Sequence, residues 1–492
     1  MKLSINGRLV FTILSLAGVI LSFTMLAGFI CAIAFREPGM ERIFLALMLI
    51  FGLGGFAMFK FSRRGLTTQT IKIREGILAV ALCWIFASAL GALPYLLAGS
   101  HHSFIDAFFE SSACITTTGS TLIDNLAELP KSLLLWRQLM TWLGGLGIVI
   151  FAITIIPMLG FGAANLASAE TPLQTLDNIR TRVSDTARTI VFLFVSLTVA
   201  EIVLLGIGGM GFYDAIVLSF SSIGNGGFAT YRTGAIVGGG IYAEAVIGVF
   251  CVLASMSFVS LRLLLKRRVR DFFKEIEIRL YLIMLGVVCA LVVIILVASG
   301  TYDTAGEALR YGVFQTVSFA TTAGYAGADY DIWPQAIYWL LIFVMVIGGC
   351  SGSTSGGIKV VRAAVAVALI RRNMYKRLHP NAVVAVKIGD KAVSADRVSS
   401  ISSFMMIYAL IVLLSCFVLS FENLDTKSTL GTVIAMLSNT GLVVGPGIGF
   451  GESFGVFSQF SRLFMSFLMI AGRLELLTML LLFSPAFWRA DR

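Results

Sequence analysis

Ten runs of about twenty predominantly apolar residues divide this chain, near 10–35, 41–61, 76–98, 136–159, 188–208, 240–265, 279–299, 335–370, 399–420 and 461–485. A helix crossing the hydrocarbon core of a bilayer needs about 20 such residues, so each run predicts one crossing. Only 13% of the residues are charged, against about 25% in soluble domains. Too few polar side chains remain to cover a water-facing surface, and much of the exterior must meet membrane lipid. The first run is too long for a signal-peptide core and lacks a cleavage site, so it reads as a retained helix.

The connecting loops give an orientation. Lys60, Arg63, Arg64, Lys72 and Arg74 follow the second run, Arg262, Lys266, Arg267, Arg268, Arg270 and Lys274 the sixth, and Arg371, Arg372, Lys376, Arg377, Lys387, Lys391 and Arg397 the eighth. The opposite loops carry acids such as Asp106, Asp124, Glu128, Asp303, Asp329 and Asp331. The positive-inside rule then puts both termini and the basic loops in the cytoplasm. The net charge of +10 reports this topology, and no nucleic-acid partner is expected. Seven cysteines at irregular spacing and three histidines form no CxxC or Cys/His pair, so neither a disulfide framework nor a zinc site is read.

Four of the acidic-side loops share a pattern. After crossings three, five, seven and nine comes a half-apolar segment too short to span, closing in small polar residues and glycine. The four endings are Thr116, Thr117, Thr118, Gly119; Ile223, Gly224, Asn225, Gly226; Thr321, Thr322, Ala323, Gly324; and Ser438, Asn439, Thr440, Gly441. Aligned on the last glycine they recur at intervals of 107, 98 and 117 residues, an internal repeat of helix, re-entrant half-helix with loop, and helix. The fold class predicted is an all-α polytopic membrane protein, with an N-terminal hairpin (1–72) and repeats at 73–180, 181–272, 273–392 and 393–492 around a central pore.

Non-helical backbone at membrane depth is tolerated only where protein buries it or it lines a water-filled cavity. Four such segments around one axis can replace the hydration shell of a bare cation with carbonyl oxygens. The half-helices aim their negative C-terminal ends at the same point. A single Ser/Thr/Gly cluster would read as a turn or a tight helix contact; four in register, all on one side, point to a filter. No ring of acidic side chains is present, which argues against a carboxylate filter.

The eighth run is interrupted by Gly348, Gly349, Cys350, Ser351, Gly352, Ser353, Thr354, Ser355, Gly356 and Gly357, ahead of Lys359. It is not a phosphate loop, because Ile358 separates Gly357 from Lys359 and no βα unit surrounds it. Two readings stand: a movable gate beneath the filter, or a passive kink. Lys359 either faces the pore or snorkels. Arg473 lies within the last run, where a charge is costly and faces water or a partner. It is either an electrostatic barrier in the path or a structural partner of Glu475 or Glu201.

These residues resemble the membrane subunit of bacterial Trk potassium uptake systems, the TrkH/TrkG type, in a superfamily with the Ktr and HKT transporters. The resemblance spans essentially the whole chain. It rests on Phe108-Phe-Glu-Ser with Thr116-Thr-Thr-Gly119, Asn225-Gly-Gly-Phe228, the 348–359 loop, and Gly472-Arg-Leu-Glu475 followed by Leu482-Phe-Ser-Pro-Ala-Phe-Trp488. It implies potassium as the bound, transported ion in the bacterial inner membrane and a homodimer with one pore per protomer. It also implies a TrkA-type cytosolic ring that carries the nucleotide (ATP/ADP or NAD), leaving this chain without a cofactor or enzymatic activity. In the family the loop glycines belong to the filter, the broken loop obstructs the path, and the last-crossing arginine adds a barrier. Two departures are visible. The fourth loop continues Leu442-Val-Val-Gly445-Pro446 where Asn-x-Gly-Pro-Gly is common, and loop two has Gly224-Asn225 where a small residue and Thr are frequent. The rival function is a secondary transporter coupling potassium to protons or sodium, for which Glu201 is the candidate titratable group. The basic segments 262–274 and 371–391 either dock a regulatory partner or only set topology.

Overall fold

Apolar side chains on the rim of the protein point outward. Phe23, Leu53, Ile294, Met406 and Leu413 are each more than half exposed, while threonines, asparagines and an arginine are fully buried at the centre. This inversion of a soluble protein is stable only against hydrocarbon. The computed structural model describes residues 7–63, 73–154, 176–229, 240–389, 391–450, 453–474 and 476–488. The far end of the fourth predicted crossing, Arg64, Lys72 and Glu475 lie outside them.

The hairpin is α1 (Gly7–Ala34) and α2 (Met40–Arg63). Small residues let the two approach: a Cβ on Gly55 would lie 3.0 Å from the Ser15 carbonyl, and the Ser22 hydroxyl donates to the Met48 carbonyl at 2.7 Å. Repeat one follows as α3 (Ile73–Gly91), a short α4 (Leu93–Leu97), the half-helix α5 (Phe104–Ile115) and α6 (Lys131–Thr154). Repeat two is α7 (Leu176–Ile207), half-helix α8 (Phe212–Gly224), α9 (Gly240–Ala254) and α10 (Phe258–Leu265), with α11 (Val269–Lys274) beyond. Repeat three is α12 (Ile276–Ser299), half-helix α13 (Ala305–Ala320), α14 (Gln335–Ile347) and α15 (Val360–Leu378). Repeat four is α16 (Ala395–Leu419), half-helix α17 (Thr426–Leu437), α18 (Gln459–Arg473) and α19 (Leu476–Phe483), with α20 (Pro485–Trp488) after it. A two-residue antiparallel pair, β1 (Lys387–Ile388) with β2 (Lys391–Ala392), is a small departure from the all-helical expectation.

Three predicted crossings are not continuous among the described residues. The sixth bends by 108° between α9 and α10. Ala254 and Ser255 turn their carbonyls to the 348–359 loop, accepting from Thr354 N at 3.2 Å and Cys350 N at 2.9 Å, so they are lost to the helix ladder. Neither proline nor glycine marks this bend in 254–257. The tenth breaks after Arg473, so the arginine ends a helix instead of standing mid-span. The eighth breaks where its glycines predicted.

The hairpin is fastened to repeat one by a carboxylate. Glu37 accepts from the backbone N–H of Lys131 at 2.5 Å and of Ser132 at 3.2 Å, and from the Ser132 hydroxyl. These are free donors at the first turn of α6, where a negative charge is favoured. Glu37→Ala should cost about 1 kcal/mol, as loss of a helix N-cap does. The check is a lower thermal midpoint for the detergent-solubilised protein, with Glu37→Gln falling between.

Candidate functional site

Each half-helix starts on the acidic face. Side chains cap three of them: Ser103 accepts from Ile105 N, Thr304 from Glu307 N, and Asp425 from Lys427 N and Ser428 N. Each ends in the same turn. Thr117, Asn225, Thr322 and Asn439 all have left-handed backbones, with φ of 57°, 54°, 56° and 54°. The residue after each donates its N–H to the carbonyl five residues back: Thr118 to Ala113 (2.8 Å), Gly226 to Ser221 (2.9 Å), Ala323 to Ser318 (3.0 Å) and Thr440 to Ala435 (2.9 Å). This cap absorbs the helix's orphan carbonyls and reverses the chain.

The shared cap fixes the register, and it moves one glycine. Gly226 is equivalent to Thr118, Ala323 and Thr440, so the closing glycine of loop two is Gly227 (φ 61°), which pairs with Gly119, Gly324 and Gly441. The alignment on Gly226 is corrected by one residue. Ile223 accordingly belongs to the helical wall, and Gly224 takes the place of Thr116, Thr321 and Ser438. The doublet Gly226-Gly227 hid this, although matching Asn225 to Asn439 would have found it.

The four loops meet. A Cβ on Gly119 would lie 2.2 Å from the Gly226 carbonyl oxygen, and one on Gly227 2.1 Å from that of Ala323. One on Gly324 would lie 2.0 Å from the Thr440 carbonyl oxygen, and one on Gly441 1.9 Å from that of Thr118. The contacts run from loop one to two, two to three, three to four and four back to one. A ring that closes in chain order defines a single axis, and no side chain larger than hydrogen fits at its joints. The hydroxyls of Thr116, Thr321 and Ser438 each donate to a carbonyl of their own half-helix, at 2.6, 2.8 and 2.7 Å.

Polar side chains brace the ring from behind. Glu110 takes the Thr121 hydroxyl at 2.9 Å and Leu122 N at 3.0 Å, and lies 2.8 Å from the Arg137 guanidinium, with both side chains fully buried. Gln138 donates to the Phe228 carbonyl at 3.0 Å, and Gln315 to that of Tyr325 at 3.1 Å. These residues hold the chain as it leaves each loop. Of them, the sequence marks only Glu110 and Gln315, each as part of a repeat segment and with no role of its own. Gly144 was also missed: its Cβ would lie 1.8 Å from the Ile115 carbonyl, so α6 touches the end of α5.

The interrupted loop lies against the deep ends of the half-helices. A Cβ on Gly356 would lie 1.8 Å from the Ser438 carbonyl. Gly356 N donates to the Thr322 hydroxyl at 2.7 Å, and Asn225 Nδ2 to the Thr354 hydroxyl at 2.9 Å. Within the loop Ser353 bonds Cys350 O and Ser355, and Ser355 accepts from Gly349 N. Phe258 N donates to Gly352 O, and Ser351 N to Glu277 at 2.5 Å. Gly348 and Gly357, both at positive φ, open and close the excursion. The Lys359 ammonium donates back to the Ser355 carbonyl. Arg473, 3% exposed, donates to the Thr354 carbonyl at 2.8 Å and reaches the Gly144 carbonyl at 3.5 Å. Glu201 is not its partner: that carboxyl is buried behind α8, 2.6 Å from the Ser222 hydroxyl.

A polytopic helical protein whose four re-entrant loops close on one axis, with a further loop seated against them, has the architecture of a membrane transport protein. The chain belongs to the TrkH family of cation transport proteins, whose model matches residues 39–490. It is 34% identical over 489 residues to the Trk system potassium uptake protein TrkH of Salmonella typhimurium, covering 98% of this chain and 99% of that one. It is 32% identical to TrkG of Escherichia coli over 95% of this chain and 96% of that one. The crystal structure of the potassium transporter TrkH from Vibrio parahaemolyticus superposes with a TM-score of 0.88 at 32% identity, covering 98% of this chain and 99% of that one. The resemblance carried by the motifs is borne out, as is the predicted architecture.

The register predicts a difference between neighbours. Gly227→Ala should abolish transport, because its Cβ would strike the Ala323 and Gly324 backbones. Gly226→Ala should impair it less: its Cβ would lie 2.2 Å from the Thr141 methyl, a side-chain atom that must turn aside but is not backbone, and two of the other loops carry threonine there. Cation uptake by the two variants, at matched expression, decides the register.

Proposed function

We propose that this chain carries potassium into a bacterial cell through the ring of four loops, down the electrochemical gradient. The observation that carries the reading is the ring's closure. The ends of four half-helices and the backbone of four loops surround one point, where they can replace the water shell of a monovalent ion. The buried polar bracing supports a rigid filter, and the names of the relatives as potassium uptake proteins support the choice of ion. An inside-negative potential of 100 mV supplies about 2.3 kcal/mol per charge, roughly fifty-fold accumulation, so no nucleotide needs to act on this chain.

On this reading the filter residues are Thr116 to Gly119 and their equivalents through Gly227, Gly324 and Gly441. The 348–359 loop is the gate, and Arg473 beside it is a fixed positive barrier. The protein sits in the inner membrane with both termini cytoplasmic and acts as a homodimer. A TrkA-type ring, carrying the nucleotide, docks on the basic segments 262–274 and 371–391. The position of Glu201 behind α8 supports uncoupled movement, since its carboxyl serves Ser222.

Purified protein in potassium-loaded liposomes tests this. Current should reverse at the potassium equilibrium potential, independent of pH and of sodium. Gly119→Ser, whose Cβ would strike the Gly226 carbonyl as that of Gly227→Ala strikes Ala323, should remove potassium-selective uptake, and Arg473→Ala should raise the flux several-fold. A reversal potential that follows pH or sodium defeats the uncoupled reading, and unchanged selectivity in Gly119→Ser removes that glycine from the filter.

A further inference from the structure

The second residue of each loop has its left-handed backbone in common with the others, yet the four side chains have different partners. Asn439 donates to the Thr118 hydroxyl of loop one at 3.0 Å and to the Met469 carbonyl of α18 at 2.8 Å, neither of them in the interrupted loop. The buried Thr117 hydroxyl has no hydrogen-bond partner. Asn225 and Thr322 reach the interrupted loop instead. Asn225 Nδ2 donates to the Thr354 hydroxyl at 2.9 Å and to that of Ser255 at 3.0 Å. The Thr322 hydroxyl accepts from Gly356 N at 2.7 Å. A positive φ is costly for a β-branched residue, so Thr322 holds an unfavourable conformation in which its hydroxyl meets a backbone donor of another element.

The direction of each bond follows from the remaining donors. The Thr354 hydroxyl spends its proton on the Ala254 carbonyl at 3.0 Å, and Ser255 spends its own on Cys251 O at 2.8 Å. Each hydroxyl therefore faces Asn225 as an acceptor, and the amide is the donor both require. Gly356 N is fully committed to Thr322. If the loop leaves, a buried N–H loses its acceptor and Asn225 loses one of its two. Loops one and four lose no such bond.

We propose that Asn225 and Thr322 are the latch that holds the 348–359 loop across the path, so that the hydrogen bonds broken on opening belong to loops two and three, loop four touching the seated loop only by packing at Ser438. This rests on the reading that the loop obstructs a cation pathway. The two residues then act as positioning residues for the gate as well as forming part of the ring.

The full chain, reconstituted without a cytosolic partner, offers two readouts. Cys350 is fully buried in the seated loop, so its rate of alkylation by a permeant maleimide, measured on its own peptide, reports unseating. Rubidium influx reports conduction. Thr322→Val keeps shape and β-branching but leaves Gly356 N without an acceptor; Thr354→Val takes from Asn225 one of its two acceptors and from the Ala254 carbonyl its hydroxyl donor, the Thr354 N–H remaining. Each should speed Cys350 labelling and raise influx by roughly ten-fold, the scale of one buried hydrogen bond. Thr322→Ser, which keeps the hydroxyl, should return Cys350 labelling to the parental rate. Unchanged Cys350 labelling in both valine variants overturns the latch. So does a parallel rise at Cys114, buried in α5, which marks general loosening. Faster Cys350 labelling with no cation flux in any variant supports the latch and overturns the transport reading instead.

Discussion

Everything at the centre of this protein depends on four backbone turns fitting against one another with nothing between them. The fit needs two things at once in each loop: a residue that accepts a left-handed backbone and, two positions on, a glycine against the neighbour's carbonyl. The first ends the half-helix and satisfies its carbonyls, so each half-helix stops at the same depth. The second lets the loops close a ring. Neither is sufficient alone, because a helix that ended one turn later, or a methyl group at one joint, would hold two loops apart.

Such a ring would collapse or hydrate without support, and the support is polar. Burying Glu110 and Arg137 together in a lipid-surrounded protein is expensive, and removing either partner from such a pair costs about 3–5 kcal/mol. Here the carboxylate also holds Thr121 and Leu122, so the cost is spent on fixing the path of the chain. Gln138 and Gln315 serve the same end with neutral amides, which are cheaper to bury. The orientation of the loops is thus fixed by directional bonds behind them, where apolar packing would set none.

Among the described residues, three of the four helices that follow the loops are interrupted beside the ring, and the interruptions depend on each other. The bend after α9 exists because Ala254 and Ser255 give their carbonyls to the loop that breaks α14 from α15. That loop gives its Thr354 carbonyl to Arg473, the last residue of α18. Helical backbone that cannot bond to itself in a membrane must find a partner in another interrupted element. The result is one hydrogen-bonded layer spanning repeats two, three and four under the loops.

The chain's own sequence determined the membrane crossings, their alternation with half-length segments, and the fourfold repeat. These follow from length, hydropathy and small-residue composition, which act locally. The glycine-rich break at 348–359 was legible for the same reason. Tertiary structure decided the register of loop two, because the doublet Gly226-Gly227 offers two alignments and the match of Asn225 to Asn439 is singled out only when the cap's hydrogen bond counts residues back to Ser221. It also decided the bend at Ser255, which no proline or glycine announces and which exists only because a segment a hundred residues away needs those carbonyls. Arg473 was visible as a misplaced charge, but its partners are backbone oxygens at Thr354 and Gly144, and a carbonyl leaves no mark in a sequence.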